Sequence, residues 1–351
     1  MTGIHSESGV RVTCDGQGLD GTWQRIVNGL PHATLAHAPE WQAVIRDAYG
    51  HQPLYLTAED AEGRRGVLPA VFVRRPLLGS VVVSMPFLDG GGPCASSTAV
   101  ARALVERLVK EAFRLKATVV EMRCTEQVDV ETAPMRHKVN LTLPLPADAD
   151  LLWRQFDGSV RNQVRKAGRS GLTIEFGGAE KLDDFHGVFA TRMHALGSPV
   201  HSSRFFTAIF QRFGGRARVV LVRKGTTPIA GLVALACDDV LTVPWASALP
   251  EYFSLCSNML LYWETIRMAC LEGYGVFDFG RSTRGSGTYG FKRQWGALES
   301  PLYWYTIPIS PRRGVSPGDG ATAARLVGMW KRLPLAVTRR LGPHVRKYLI
   351  Q

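Results

Sequence analysis

Apolar and polar positions along this chain switch between a helical and a two-residue period, and the order of the switches repeats. In the first half, Trp41 to Tyr49 reads as a helix. Pro53 to Ala58 and Gly66 to Arg74 read as hairpin strands around the charged turn Glu59-Asp60-Ala61-Glu62-Gly63. Val81 to Met85 is the next strand, followed by the glycine loop Asp89-Gly90-Gly91-Gly92-Pro93. From Ser97 to Lys116 runs an amphipathic helix with Val100, Leu104, Leu108 and Ala112 on one stripe, and Ala117 to Arg123 reads as a buried strand. The second half repeats this order. Leu182 to Leu196 and Ser203 to Phe213 read as helices, and Ala217 to Lys224 with Pro228 to Cys237 as a hairpin. Val240 to Ala248 is a strand, Asn258 to Glu272 a helix, and Gly275 to Phe279 and Leu302 to Ile307 the last strands.

That repetition predicts an α/β protein with mixed sheets, built from two similar halves of about 150 residues each. The boundaries fall at 1–150, 151–310 and 311–351, the last being a basic tail. Leu151 to Ser170, helical and basic, stands between the halves.

The composition is that of a globular protein: 351 residues, 45% hydrophobic and 21% charged. No apolar run reaches the ~18 residues that span a bilayer, and Met1 to Val10 lacks the apolar core of a signal peptide. A cytoplasmic protein is expected. The six cysteines are scattered without a CxxC pair, which argues for free thiols and against zinc. His186, His194 and His201 are too loosely spaced for a metal site, so no metal is expected. Of the net charge of +12, seven units lie between Gly320 and Gln351, where no acid occurs. Leu326, Met329, Trp330, Leu333, Val337 and Leu341 are interleaved with those charges. Such a segment suits the surface of an anionic membrane; the alternative is a docked terminal helix with a solvated basic face. Pro334 and Pro343 are expected to break it into short pieces.

The stretch from Phe277 to Gly296 carries the most chemistry. It opens as a strand, is expected to break at Gly280, and continues as a loop holding Arg281 and Arg284 before an aromatic strand around Lys292. Gly285, Gly287 and Gly290 spell GxGxxG, but the expected strand after them fails the dinucleotide context. Asp278-Phe279-Gly280 spells a kinase triplet without its companion motifs.

Trp153-Arg154-Gln155-Phe156-Asp157-Gly158-Ser159-Val160-Arg161-Asn162-Gln163-Val164-Arg165-Lys166-Ala167, Pro228-Ile229-Ala230-Gly231, and Tyr289-Gly290-Phe291-Lys292 after Phe277-Asp278-Phe279-Gly280 resemble the Fem family of peptidoglycan-bridge aminoacyltransferases. With Gly197-Ser198-Pro199, the chain is most similar in appearance to FemAB-like proteins associated with exosortase (PEP-CTERM) systems. The resemblance implies tandem GNAT-type acyltransferase domains and transfer of an acyl or aminoacyl group from an activated donor to an amine. It implies acyl-CoA or aminoacyl-tRNA as donor substrate and no tightly bound cofactor. The long helical arm of several tRNA-using members has no counterpart here, which disfavours tRNA. The partner implied is a lipid-linked or nucleotide-linked sugar precursor of peptidoglycan or exopolysaccharide, with work at the inner membrane face.

Within that frame Lys292 is the first catalytic candidate, an ammonium for the oxyanion of a tetrahedral intermediate. Asp278 can take the amine's proton, orient Arg281 or simply cap its turn. Tyr289 can position the acceptor or pack as a core aromatic. Arg281 and Arg284 can grip phosphate or carboxylate, or be solvated. Arg161 and Lys166, on a basic helix face with Arg165 and Arg169, are the acceptor-binding positions carried over from the resemblance. Ser257 and Asn258 open a helix at the place where GNAT folds hold the donor's pyrophosphate; an N-cap is the plain alternative. Trp245 lines either the cleft or the core. The competing function is a non-catalytic binding protein for a lipid-linked glycan; a nucleic-acid binder has charge alone in its favour.

Overall fold

A computed structural model describes residues 4–5, 9–15, 21–75, 79–310 and 320–350. Most of the polar N-terminus and residues 311–319 of the tail lie outside the described residues. The first half contains β1 (Ile4–His5), β2 (Arg11–Asp15), α1 (Thr22–Asn28), α2 (Glu40–Tyr49), β3 (Gln52–Glu59), β4 (Arg65–Arg75), β5 (Gly79–Val83), β6 (Cys94–Ala95), α3 (Thr98–Arg114) and β7 (Val119–Cys124). Next come β8 (Lys138–Pro144), α4 (Ala149–Gln155), α5 (Gly158–Arg169), β9 (Leu172–Gly177), α6 (Leu182–Leu196) and α7 (Ser203–Phe213). The second half continues with β10 (Ala217–Lys224), β11 (Thr227–Cys237), β12 (Val240–Ala248), α8 (Ser257–Leu271), β13 (Val276–Thr283), α9 (Gly287–Arg293) and β14 (Leu298–Pro301). Last are β15 (Tyr303–Pro308), α10 (Gly320–Arg332) and α11 (Leu335–Arg346).

Two compact units result. One comprises residues 1–138, 301–320 and 347–351, the other 139–300 and 321–346. The divisions drawn at 150 and 310 therefore cut elsewhere. β8 joins the second unit's sheet and β15 the first unit's, so each strand leaves the half in which it was counted.

In the first unit the sheet runs β1-β2-β3-β4-β5-β7-β15, with β6 on β4. The β3–β4 hairpin turns where the Asp60 carboxylate accepts from the backbone N–H groups of Glu62 and Arg64. β4 is buried over eight consecutive residues, with α3 and α1 packed on it. α3 presents the predicted stripe of Val100, Leu104, Leu108 and Ala112. It approaches closely because Gly66 has no side chain: a Cβ there would meet Ala95 and Val100 at 2.7 and 2.9 Å.

The second unit's sheet runs β14-β8-β13-β12-β11-β10-β9. α6 packs on β11 and β12, and α5 packs on α8. Gly231 plays the part of Gly66, since a Cβ on it would lie 2.8 Å from Leu221 and 3.3 Å from the Phe185 ring. Both units thus repeat two helices, an antiparallel hairpin, a strand, a helix and a parallel strand, which bears out the expected tandem fold.

Two local expectations fail. β13 does not end at Gly280 but continues to Thr283, with Gly280 at φ +71°, a conformation open to glycine at little cost. The aromatic segment after it is the helix α9, not a strand. The Ser286 hydroxyl accepts from the backbone N–H of Tyr289 and caps it, and Phe291 meets Trp295 one turn on, at 6.4 Å between rings.

Candidate active site

In the second unit, β12 and β13 run parallel and pair over three positions, Val240–Thr242 against Val276–Asp278, and then part. Each strand is irregular where they part. On β12, Val243 and Pro244 together oppose one β11 residue, Ala234, since Thr242 pairs Leu235 and Trp245 pairs Val233. Proline has no N–H for a ladder, so it belongs at such a bulge. On β13 the irregularity is Gly280, one residue beyond the Phe279 that follows the last paired Asp278.

Side chains clamp Gly280 from two directions. The Asp278 carboxylate accepts its N–H at 2.8 Å, and the Lys292 ammonium donates to its carbonyl at 2.9 Å. Lys292 also donates to the Arg281 carbonyl at 2.7 Å and is 9% exposed. Asn140 of β8 donates to the same Asp278 oxygen at 3.0 Å. The two leading catalytic candidates are thus brought together, though not in the expected way. Lys292 is committed to main-chain oxygens, and Asp278 caps the turn as its plain alternative held. Both shape the edge of the splay.

The helix after β12 opens beside a pocket of about 160 Å³ lined by Gln163, Phe253, Cys256, Ser257, Asn258, Met259, Phe291 and Gln294. Cys256, the N-cap, stands at φ 58°, ψ 33°, the left-handed region that a side chain makes costly, and no side chain caps the helix. Its carbonyl accepts from the N–H groups of Met259 and Leu260. The N–H groups of Ser257 and Asn258 lie in the first turn, where no helical carbonyl stands four residues behind. Ser257 is 1% exposed, and its hydroxyl has no hydrogen-bond partner. A buried hydroxyl without a partner is rare and costly. The first-turn N–H groups of Ser257 and Asn258 stand beside it. A second pocket of about 240 Å³ is lined partly by Gln155, Asp157, Arg293 and Trp295 and shares Gln294 with the first. The Trp295 indole N–H is buried without a partner.

The other candidates are placed differently. Tyr289 and Arg284 both engage Glu299. The tyrosine hydroxyl donates at 2.8 Å, and the guanidinium reaches the other carboxylate oxygen at 3.1 and 3.2 Å. Those contacts hold Glu299 below the usual carboxylate range, the tyrosine hydroxyl first and Arg284 next, and the same hydrogen bond pushes Tyr289 up. Arg284 is therefore occupied within the loop, and Glu299 is a partner that the sequence reading missed. Arg281 is half-buried. Trp245 is core: it is 6% exposed and packs edge-on against Phe205 and Phe206 at 5.5 and 5.4 Å. On α5, Lys166 is exposed, Arg165 lies over the Trp153 ring at 5.7 Å, and Arg161 is half-buried with its Nε unpartnered. Gln163 of α5 lines the 160 Å³ pocket, three residues before Lys166 and two after Arg161, so α5 borders the pocket through that residue.

Two of the three histidines bond the tail helix α11, and the third braces one of them. His186 Nε2 meets the His201 carbonyl at 2.9 Å, His194 Nδ1 meets the Thr338 hydroxyl at 3.1 Å, and Arg346 donates to His201 Nε2 at 3.0 Å.

Residues 154–293 match the Acetyltransferase (GNAT) domain family. No curated protein matches the chain in sequence. Among solved structures it is similar to FemX at 14% identity and TM-score 0.65, covering 85% of this chain and 98% of that one. It is similar to the tandem GNAT protein from the clavulanic acid biosynthesis pathway at 8% identity and TM-score 0.54, covering 86% and 100%. It is also similar to L-PGS from Bacillus licheniformis at 11% and 0.52, covering 91% and 99%. Residues 154–293 thus resemble a GNAT acetyltransferase domain, and the chain has a tandem GNAT-like fold similar to that of FemX.

Proposed function

We propose that this protein transfers an acyl group from a CoA-type thioester to an amine of a cell-envelope precursor, using the splay of the second unit. The observation that carries the reading is the partnerless Ser257 hydroxyl at the N-terminus of α8, beside a pocket at the end of the splayed strand. A pyrophosphate supplies the acceptor oxygens that Ser257 and the first-turn N–H groups lack, and the helix dipole favours its charge. The acyl arm then enters between β12 and β13, where neither strand needs the other's hydrogen bonds.

The amine nitrogen attacks the thioester carbonyl, the carbon–sulfur bond breaks, and the amine's proton leaves with the thiol. Asp278 and Lys292 hold the Gly280 peptide in its left-handed conformation, which fixes the wall against which the carbonyl lies. Their part is positioning, within the tolerance of about an ångström that transfer geometry demands. Arg161 and Lys166, on the basic helix bordering the pocket, supply charge for a phosphate-bearing acceptor. The cell-envelope acceptor is supported by the motif resemblance and by the fold shared with FemX.

The test is release of free thiol from acyl-CoA thioesters, with and without an amine-bearing, nucleotide-linked muropeptide. Amine-dependent release with matching mass gain on the muropeptide is expected. Tight binding of thioester or muropeptide without turnover would make this a binding protein. Turnover with an aminoacyl-tRNA alone would replace the donor.

A further inference from the structure

The C-terminal helices do not form a simple solvated face. α11 is fastened to the second unit on one side: Thr338 meets His194, Arg346 meets His201, and Gly342 lies where a Cβ would come 3.0 Å from Val200. α10 is fastened through Val327, against which a Cβ on Gly197 would lie at 2.6 Å. At 100° per residue, Leu326 and Met329 fall together about 130° round the helix from that contact, and Leu333 follows just past the helix end. They are 62%, 64% and 37% exposed. On α11, Val337, Leu341 and Val345 recur every four residues and are 37%, 46% and 39% exposed. Arg325, Lys331, Arg332, Arg339 and Arg340 are exposed on the same two helices, and no acidic residue occurs from 320 onward.

We infer that α10 and α11 form a docking surface for an anionic lipid bilayer. Apolar stripes next to cations, with every acid excluded, complement a surface that is apolar beneath and negative on top. A protein partner of ordinary composition does not require that exclusion. A crossing segment is not the reading, because among the described residues no helix is long and apolar enough to span a membrane. Pro334 separates the two helices and sets two short amphipathic segments on the bilayer in place of one rod. Lys347 is excluded from the contact set, since its ammonium lies over the Tyr348 ring at 4.8 Å, and Arg346 is spent on His201.

The test uses the full chain without donor or acceptor, so its outcome is separate from the enzymatic reading. Co-sedimentation is measured with vesicles of phosphatidylcholine alone and of phosphatidylcholine with 30% phosphatidylglycerol. Binding to the anionic vesicles alone is expected. Each charge removed by Arg325→Gln, Arg332→Gln or Arg340→Gln should weaken it about fivefold. Replacing Leu326, Met329 and Leu333 by Ser should reduce it at least tenfold while the melting temperature holds, since those side chains are exposed. Equal sedimentation with both vesicles, no sedimentation, or a dimer that the Ser variant dissolves would overturn the inference.

Discussion

The same strand-helix-strand junction occurs twice in this chain and is closed in one unit and open in the other. In the first unit, β5 pairs β7 through Val81–Val83 and Val119–Glu121, and the seam is stitched further. The Ser84 N–H donates to the Glu121 carbonyl, and the Ser84 hydroxyl accepts from the Arg123 N–H, both at 2.9 Å. The Arg123 side chain, 1% exposed, lies over the Trp304 ring and donates to the carbonyls of Leu88 and Ile350. Ile350, almost the last residue, is itself buried. Gly92 is pressed so close to Cys124 that a Cβ would fall 2.4 Å from its sulfur. A pocket nearby holds about 10 Å³, against about 160 Å³ at the second junction. One serine closes a seam and the other opens onto a cavity. The shared fold does not by itself open the junction; the irregularities at Pro244 and Gly280 occur where β12 and β13 part.

Variants can break this contrast in graded steps. Lys292→Met should give the largest effect, a fall in acyl transfer of about a hundredfold from a displaced Gly280 wall. It should also cost about 1–3 kcal/mol of stability from two carbonyls left unpaired. The first is read by thiol release and the second by denaturant unfolding. Arg123→Met in the first unit should cost a similar amount of stability, about 1–3 kcal/mol, from abandoned carbonyls, yet leave turnover per folded molecule unchanged. Equal kinetic damage from both would erase the distinction between the units. A smaller pair follows. Ser84→Ala should lose about 1 kcal/mol with no change in donor KM. Ser257→Ala should leave stability unchanged or slightly raised, because its hydroxyl is orphaned without donor, and raise donor KM about fivefold or more.

The smallest effect is a pH dependence. Burial first, then Arg346 and His186, hold His201 well below its ordinary 6.5, so its ring is neutral and accepts from Arg346. A base whose folded value lies below its unfolded one contributes stability above about pH 6.5 and loses it as the pH falls. Melting temperature should therefore drop between pH 7 and 5, and His201→Gln should flatten that slope.

The tandem architecture was legible because amphipathic α3 with the strand runs β3 and β4, and the strand runs β10 and β11, each bury a consistent set of apolar residues in the core of their own unit. What was not legible depended on one-residue geometry. Gly280 read as a stop because glycine breaks strands as often as it bulges them, and α9 read as a strand because Tyr289 and Phe291 alternate like one. Pro244 within an otherwise apolar strand was the available signal for the β12 bulge, since proline is tolerated in a sheet there. Glu299 gave no local signal at all; its pairing with Arg284 spans 15 residues and forms through the loop's closure. The partners of two of the histidines gave no local signal either: Thr338 and Arg346, on α11, lie some 145 residues beyond His194 and His201.

The most direct test of a donor site in the second junction alone is calorimetric titration of the full chain with a non-hydrolysable acyl-CoA analogue. One molecule should bind per chain, and Asn258→Glu, which sets a negative charge at the N-terminus of α8, should abolish the heat. Two molecules per chain, or binding that survives the glutamate, would contradict the account.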